Sequence, residues 1–243
     1  MCLKKRSYIC SKIDIMAINT TNFETIRKEL EKFNATLVAV SKTKPVSDIE
    51  ALYALGQRDF GENYVQELVE KQPLLPGDIR WHFIGHLQTN KVKYIAPFVY
   101  LIHGVDSYKL LREINKQGAK INRVIDVLLQ VHIASEETKF GFDAAELEQL
   151  CKPEVLSELT HVRIRGMMGM ASFTENKEQV IQEFGVVQDL FQQYQNAGLP
   201  ALEMEIRSMG MSNDYPLALE QGSNMVRIGS LLFGARNYGT TAG

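Results

Sequence analysis

The sequence predicts an α/β protein built as a single (β/α)8 barrel of the TIM type. Short apolar runs of strand length alternate eight times with stretches of helical periodicity, which is typical of a parallel sheet. Eight such units in 243 residues match the usual size of a closed barrel. An open, doubly wound sheet is the alternative. The glycine-rich dinucleotide fingerprint that would support it is missing after the first strand, and so is a Walker sequence.

Each predicted strand is an apolar run, often β-branched, that ends at a polar or glycine-containing turn. The eight predicted strands span residues 37–40, 59–63, 80–86, 98–102, 124–133, 162–170, 203–210 and 225–228. The fifth is the most hydrophobic, so we expect it to be buried on both faces.

Apolar residues three and four positions apart predict the intervening helices, most clearly between Val180 and Tyr194. An extra helix over residues 23–33 precedes the first strand. We expect a capping box over 47–50 to begin the next helix, and Asn63 and Gln66 to cap the one after it. Asp143 is the corresponding cap of a later helix.

Composition limits the domain organisation and the partners. We expect residues 1–19 to form a flexible, basic N-terminal tail, in which Met16 is an alternative start, and residues 20–243 to form the barrel without a C-terminal β-domain. A net charge of -2 gives no reason to expect nucleic acid, and no apolar stretch is long enough to cross a membrane. Three scattered cysteines and no secretory signal favour a reducing, cytoplasmic location.

Lys42 stands where an α/β barrel places chemistry, just after the first strand. It shares the strand parity of Val38 and Val40, so we expect it to point toward the interior. A desolvated lysine has a lowered pKa and can form a Schiff base. The alternative is a lysine that reaches solvent from a strand end, and for a lone lysine it would be preferred.

The loops after strands seven and eight have the composition of a phosphate site. They contain Met211, Ser212, Gly229 and Ser230, and barrels commonly bind phosphate at these two loops. The alternative is that glycine and serine merely form turns, but two such loops together favour phosphate.

Arg227 lies two residues before Gly229 and should project into the barrel mouth, where it could face the ring nitrogen of a cofactor. An ion pair with a residue such as Glu205 is the alternative. His82, His86, His103 and His132 have no metal-ligand spacing backed by a carboxylate, so we assign no metal site. A strand-one lysine, a phosphate site and an arginine at a ring nitrogen together suit pyridoxal 5'-phosphate (PLP).

Five segments resemble the pyridoxal-phosphate homeostasis proteins, the YggS/PROSC family, over nearly the whole chain from about residue 22. They are residues 39–45, 60–67, 81–91, 208–214 and 226–229. The resemblance implies a barrel like the N-terminal domain of alanine racemase, with PLP as cofactor. It implies cofactor-binding roles for Lys42, which carries the cofactor, and for Asn63, Met211, Ser212, Arg227, Gly229 and Ser230.

The resemblance further implies a protein that maintains intracellular PLP and vitamin B6 supply without established catalytic turnover. We therefore assign no catalytic residue. PLP-dependent apoenzymes are the expected recipients, and a monomer is expected. The alternatives are a PLP-dependent racemase-like enzyme and a Schiff-base aldolase acting on a phosphosugar.

Overall fold

The computed structural model describes residues 18–135 and 140–234. Eight parallel strands form a closed barrel in which each strand pairs with the next and the last pairs with the first. They are β1 (Thr36–Val40), β2 (Asp59–Glu62), β3 (Arg80–Phe83), β4 (Leu101–Val105), β5 (Ile125–Val131), β6 (Val162–Gly169), β7 (Leu202–Ser208) and β8 (Met225–Ile228). The predicted fold class is confirmed.

Helices surround the barrel and connect the strands. Those described are α1 (Thr20–Lys32), α2 (Val46–Ala54), α3 (Val65–Lys71), α4 (Val92–Ile95), α5 (Tyr108–Lys120), α6 (Ala144–Leu150), α7 (Pro153–Leu156), α8 (Lys177–Gln195), α9 (Tyr215–Glu220) and α10 (Ser230–Phe233). The extra N-terminal helix is α1, capped by Asn19. The predicted tail, residues 1–19, lies outside the described residues except for its last two.

Alternation along the strands creates two apolar layers. Val38 faces the barrel interior with Leu101, Leu128, Met168 and Met225. Its neighbour Ala39 belongs to the larger layer between strands and helices, which also contains Phe23, Phe60, Phe83, Phe184 and Phe191. The inner layer is small, so part of the barrel interior is left for polar side chains.

The predicted fourth strand, residues 98–102, was placed too early, because β4 is Leu101–Val105. The amides of Phe98 and Val99 still bond to the carbonyl of Ile95 and so continue the end of the preceding helix. His103 and Gly104, which follow the predicted strand, lie inside β4. The third strand is also shorter than predicted and ends at Phe83.

Two predicted helix caps are wrong. Helix α2 begins at Val46 after Pro45, whose extended backbone already ends the preceding segment, so Ser47 lies within the first turn. Helix α3 has Tyr64 at its N-cap without a side-chain bond, and Gln66 bonds instead to Glu70. The Asp143 cap is confirmed, as a capping box with Glu146.

Candidate functional site

A cavity of about 460 Å³ opens at the C-terminal end of the barrel, among the loops that follow β1, β2, β3, β6, β7 and β8. All seven residues predicted to bind the cofactor line it, which brings together side chains from the two ends of the sequence. They are Lys42, Asn63, Met211, Ser212, Arg227, Gly229 and Ser230.

Lys42 lies two residues beyond β1 and is half-buried. Val38 faces the barrel interior, and Val40 and Lys42 both line the cavity, so the predicted two-residue alternation continues past the strand end. Lys44 also lines the cavity, and its ammonium donates to the carbonyl of Phe233 at 2.7 Å.

The turn that carries Lys42 is anchored by a buried ionic cluster from β2 and α3. Lys71 donates to the Ser41 carbonyl at 2.9 Å and to Glu62 Oε1 at 2.8 Å. The Ser41 hydroxyl donates to the same Glu62 oxygen at 2.7 Å. The amide of Thr43 donates to Glu67 at 2.6 Å, and Glu67 is bonded to Lys71 as well. Both neighbours of Lys42 are therefore fixed.

This anchoring matters because Thr43 has a φ of 62°, a left-handed conformation that is costly for a β-branched residue. Surrounding contacts must hold such a conformation in place, and the bond from its amide to Glu67 is one of them. The cluster thus stabilises a strained turn at the base of Lys42.

Glu62 has an unusual environment in this cluster. Its side chain is fully buried, and Oε2 has no hydrogen-bond partner among the described residues. Burial raises its pKa to about 7, although Lys71 and the Ser41 hydroxyl act in the opposite direction. The sequence pattern alone does not reveal this role. The i,i+4 spacing of Glu67 and Lys71 indicates an ion pair but not its contact with the strand-one turn.

Arg227 is almost completely buried beneath the cavity wall. Its guanidinium donates to the Ser208 carbonyl and hydroxyl, both at 2.6 Å, and to the Gly169 carbonyl at 3.1 Å. Burial lowers its pKa to about 10, against the opposing charge of Asp214, so it remains a cation at neutral pH. The alternative ion pair with Glu205 is wrong, because Glu205 lies on the outer face of β7 and pairs with Arg165.

The opposite part of the cavity contains the hydroxyl and glycine residues. The Gly229 amide donates to the Ser212 hydroxyl at 3.4 Å, which joins the β7 and β8 loops. A Cβ on Gly229 would lie 3.2 Å from the Val40 carbonyl, so glycine permits a tight approach to β1. Asp214 accepts from the Met211 amide at 2.6 Å and shapes the β7 loop.

Asn63 reaches the cavity because the loop after β3 packs closely against it. A Cβ on Gly85 would lie 2.3 Å from the Asn63 carbonyl oxygen, so only glycine fits there. The β6 loop, Met170 to Phe173, completes the wall. Phe173 is 90% exposed at this rim.

Other features of the described residues bear on function. No group of three or more His, Cys, Asp or Glu side chains within residues 18–135 and 140–234 is arranged to hold a metal ion. In the same residues, no helix is long and apolar enough to cross a bilayer. His82 and His103 lie side by side inside the barrel and are completely buried.

Known proteins resemble this chain in sequence and in structure. The family model described as alanine racemase, N-terminal domain, matches residues 13–237. The pyridoxal phosphate homeostasis protein of Aquifex aeolicus (strain VF5) is 42% identical over 224 residues, which is 88% of this chain and 95% of the relative.

Two solved structures extend the comparison. PipY of Synechococcus elongatus PCC7942, solved with PLP bound, matches with 34% identity and a TM-score of 0.80, over 88% of this chain and 99% of PipY. An alanine racemase of Bartonella henselae, solved with covalently bound pyridoxal phosphate, shares the fold. Its TM-score is 0.66 at 17% identity, over 93% of this chain and 62% of the racemase.

Proposed function

We propose a function from one premise: this chain belongs to the pyridoxal phosphate homeostasis proteins. It binds PLP in the cavity at the barrel mouth, as a Schiff base on Lys42, and serves intracellular PLP and vitamin B6 balance. The observation that supports this most is the meeting of Lys42, Arg227, Ser212 and Ser230 in one cavity.

The donor groups of this cavity fit the chemistry of PLP. The cofactor supplies an aldehyde that condenses with a primary amine and releases water, and a pyridine ring that can accept electrons. Lys42 provides the amine. Ser212, Ser230 and the backbone of Gly229 provide donors for a phosphate, and Met211 and Asn63 close the cavity around the ring.

We further propose that the protein holds PLP without catalytic turnover. Arg227 can only donate hydrogen bonds, so a ring nitrogen that faces it stays unprotonated and is a weak electron acceptor. Besides Lys42 and Arg227, the titratable side chains described at the cavity are Lys44 and Asp214. Both are engaged, Lys44 with the Phe233 carbonyl and Asp214 with the Met211 amide, so neither is positioned as a mobile second base.

A spectral titration tests binding. Adding PLP to the cofactor-free protein should produce the visible absorption band of a protein-bound Schiff base. Pyridoxal, which lacks the phosphate, should bind at least about tenfold more weakly, since it loses several charge-assisted hydrogen bonds. A protein that gives no band with PLP would contradict the proposed function. A Schiff-base aldolase would likewise give no such band, but would react with a phosphosugar.

A second measurement separates a carrier from a racemase-like enzyme. Exchange of the α-proton of alanine for deuterium is followed by NMR in the presence of the PLP-loaded protein. We expect no exchange at enzymatic rates, which are typically about 1–10³ per second. Exchange at such rates would favour the racemase-like alternative.

The remaining proposals concern the setting in which the protein works. We propose that it acts in the cytoplasm, as a monomer, and passes PLP to PLP-dependent apoenzymes. Cys151 is present as a buried free thiol, in keeping with a reducing compartment. Transfer of PLP from the loaded protein to an apoenzyme, measured as recovered activity of that enzyme, tests the recipient role.

A further inference from the structure

A line of polar side chains crosses the barrel interior from the cavity to its opposite end. Arg227 donates to the Ser208 hydroxyl at 2.6 Å, and that hydroxyl lies 3.0 Å from His103 Nδ1. His103 Nε2 lies 2.9 Å from His82 Nδ1, and His82 Nε2 lies 3.0 Å from an oxygen of Asp59. The line is completely enclosed, because the side chains of Ser208, His103 and His82 are 0% exposed.

The two ends of this line determine the direction of every hydrogen bond within it. The Arg227 guanidinium can only donate, so the Ser208 oxygen accepts from it and its hydroxyl hydrogen turns to His103 Nδ1. A neutral His103 then carries its hydrogen on Nε2 and donates to His82 Nδ1, which leaves His82 Nε2 to donate to Asp59. A carboxylate can only accept hydrogen bonds. The donor that Asp59 requires is therefore the His82 Nε2–H that follows from the direction set by Arg227.

The electrostatic surroundings agree with this direction. Burial lowers the pKa of His103 well below its ordinary value, and the charge of Arg227 acts in the same sense. Burial opposes ionisation of Asp59, but the hydrogen bonds from Arg80 and His82 and the charge of Arg80 hold the pKa of that carboxyl below its ordinary value. Arg80 Nε also donates to Asp59 Oδ1 at 2.7 Å, the oxygen that His82 Nε2 contacts.

Arg227 needs such support because its charge is buried without a directly bonded carboxylate among the described residues, and Asp214 acts on it only through space. Among the described residues, no carboxylate is hydrogen-bonded to Arg227. Its guanidinium donates to two carbonyls and a hydroxyl. Buried charges are costly unless they are paired and hydrogen-bonded. The nearest carboxylate along the hydrogen-bonded line is Asp59, at the far end of the barrel.

We propose that His82 and His103 are positioning residues that connect Asp59 to Arg227 and hold the guanidinium in place against the cofactor. The line keeps the Ser208 hydroxyl as an acceptor for Arg227, so the arginine retains its orientation whether or not the cavity is filled. This inference extends the proposed function, since it concerns the residue that would face the ring of PLP.

The tautomers of the two histidines test this proposal on the cofactor-free protein. Nitrogen-resolved NMR should show both His82 and His103 neutral, with the hydrogen on Nε2. Hydrogen on Nδ1 of either ring would reverse at least one bond and overturn the proposal. This measurement does not depend on PLP, so it stands even if the spectral titration shows no PLP binding and the proposed function fails.

Removing the charge at the far end provides the second test. Asp59→Asn replaces a pure acceptor with a group that can also donate, so a His103 Nδ1–H tautomer should appear and PLP should bind about tenfold more weakly. Asp78→Asn is the matched control, because Asp78 is a carboxylate near the same end of the barrel that bonds to Arg58 and Tyr53 instead. Asp78→Asn should change neither the His103 tautomer nor the affinity for PLP.

Ser208→Ala provides a test closer to the cavity, with Ser223→Ala as its control. The Ser223 hydroxyl is also buried beside β7 and β8, but it contacts only backbone groups. Only Ser208→Ala should shift the NMR signals of both His103 and the Arg227 guanidinium. If neither Asp59→Asn nor Ser208→Ala alters PLP affinity or the Arg227 signals while both proteins remain folded, the histidines are structural and the proposal is wrong. If Asp59→Asn does not fold, the wild-type tautomers and Ser208→Ala still decide.

Discussion

Two buried cations near the cavity are stabilised in different ways. Lys71 lies between Glu62 and Glu67, so its charge is neutralised locally. Arg227 bonds to carbonyls and a hydroxyl, and its nearest carboxylate along the hydrogen-bonded line is remote. A locally paired lysine suits a structural role, because its charge has little effect beyond its partners. A buried arginine that is hydrogen-bonded to no carboxylate leaves its positive charge available to a ligand in the cavity.

The hydroxyls of the β7 and β8 loops provide a prediction at the scale of single residues. Ser212→Ala and Ser230→Ala should each weaken PLP binding by roughly 0.5–1.5 kcal/mol, the usual net value of one hydrogen bond, or up to about 3 kcal/mol if the bond to phosphate is fully desolvated. Affinity is measured by spectral titration. Ser157→Ala, an exposed serine far from the cavity, is the control. If both loop variants bind PLP as tightly as the wild type, phosphate binds elsewhere.

Glu62 predicts a particular pH dependence of stability. Its pKa is about 7 in the folded protein, against an ordinary value of 4.5, so the folded state retains a proton that the unfolded chain loses. Stability should therefore fall as the pH rises from about 4.5 to about 7. Glu62→Gln has no proton to lose, and relative to it the wild type should lose roughly 1–3 kcal/mol of unfolding free energy across that window.

Denaturant unfolding of both proteins at several pH values measures this difference. Glu70→Gln removes an exposed carboxylate on α3, whose side-chain bond among the described residues is to Gln66, and should leave the pH dependence unchanged. Parallel stability curves for the wild type and Glu62→Gln would show that the carboxyl titrates in the fold as it does in the unfolded chain.

At the scale of elements, the cavity depends on how closely the loops at the barrel mouth pack. Backbone approaches backbone where Gly85 meets Asn63, and again where Gly104 meets the Gly85 carbonyl, 2.6 Å from the position of a Cβ. The loops after β2 and β3 and the strand β4 are therefore stacked without side chains between them. This stacking brings Asn63 to the cavity wall. A larger distance between the two loops would leave Asn63 in solvent.

Gly85→Ala tests that stacking. The added Cβ would lie 2.3 Å from a backbone oxygen that cannot move away cheaply, so the variant should lose about 1–3 kcal/mol of stability and bind PLP more weakly. Gly77→Ala is the matched control, because nothing lies within 4 Å of its Cβ position. Unfolding midpoints and PLP affinities are compared. Equal stability of the two variants would show that the loops are not tightly packed here.

The sequence predicts elements well where a local pattern decides them. The helix over Val180 to Tyr194 and the strand at Met225 follow from periodicity and are observed almost unchanged. The fourth strand was misplaced because the apolar run ends before His103, whose burial becomes clear only from its partners, His82 and Ser208. Those partners come from other strands, and no local pattern contains them.

At the scale of the whole molecule, the barrel turns distant segments into one site. Strand alternation places Val38 in the interior and Val40 and Lys42 at the cavity, and closure of β8 onto β1 sets Arg227 beside Val38 in the register. Lys42, Arg227 and the residues of the β7 and β8 loops could therefore be predicted from parity and loop position, whereas the role of Asn63 came from the family resemblance. The ionic cluster around Lys71 and the line from Asp59 could not, because they depend on the register between strands and on where α3 packs.

Chemical trapping of the bound cofactor tests the central claim most directly. The PLP-loaded protein is reduced with borohydride, which converts a Schiff base to a stable amine, and the modified peptide is identified by mass spectrometry. We expect the label on Lys42 in the wild type. The label should be absent from the cavity lysines of Lys42→Ala. It should be retained on Lys42 in Lys44→Ala, the control that removes the other cavity lysine near the same turn. A label on Lys44 in the wild type, or an unchanged visible band in Lys42→Ala, would contradict the assignment of Lys42 as the residue that holds PLP.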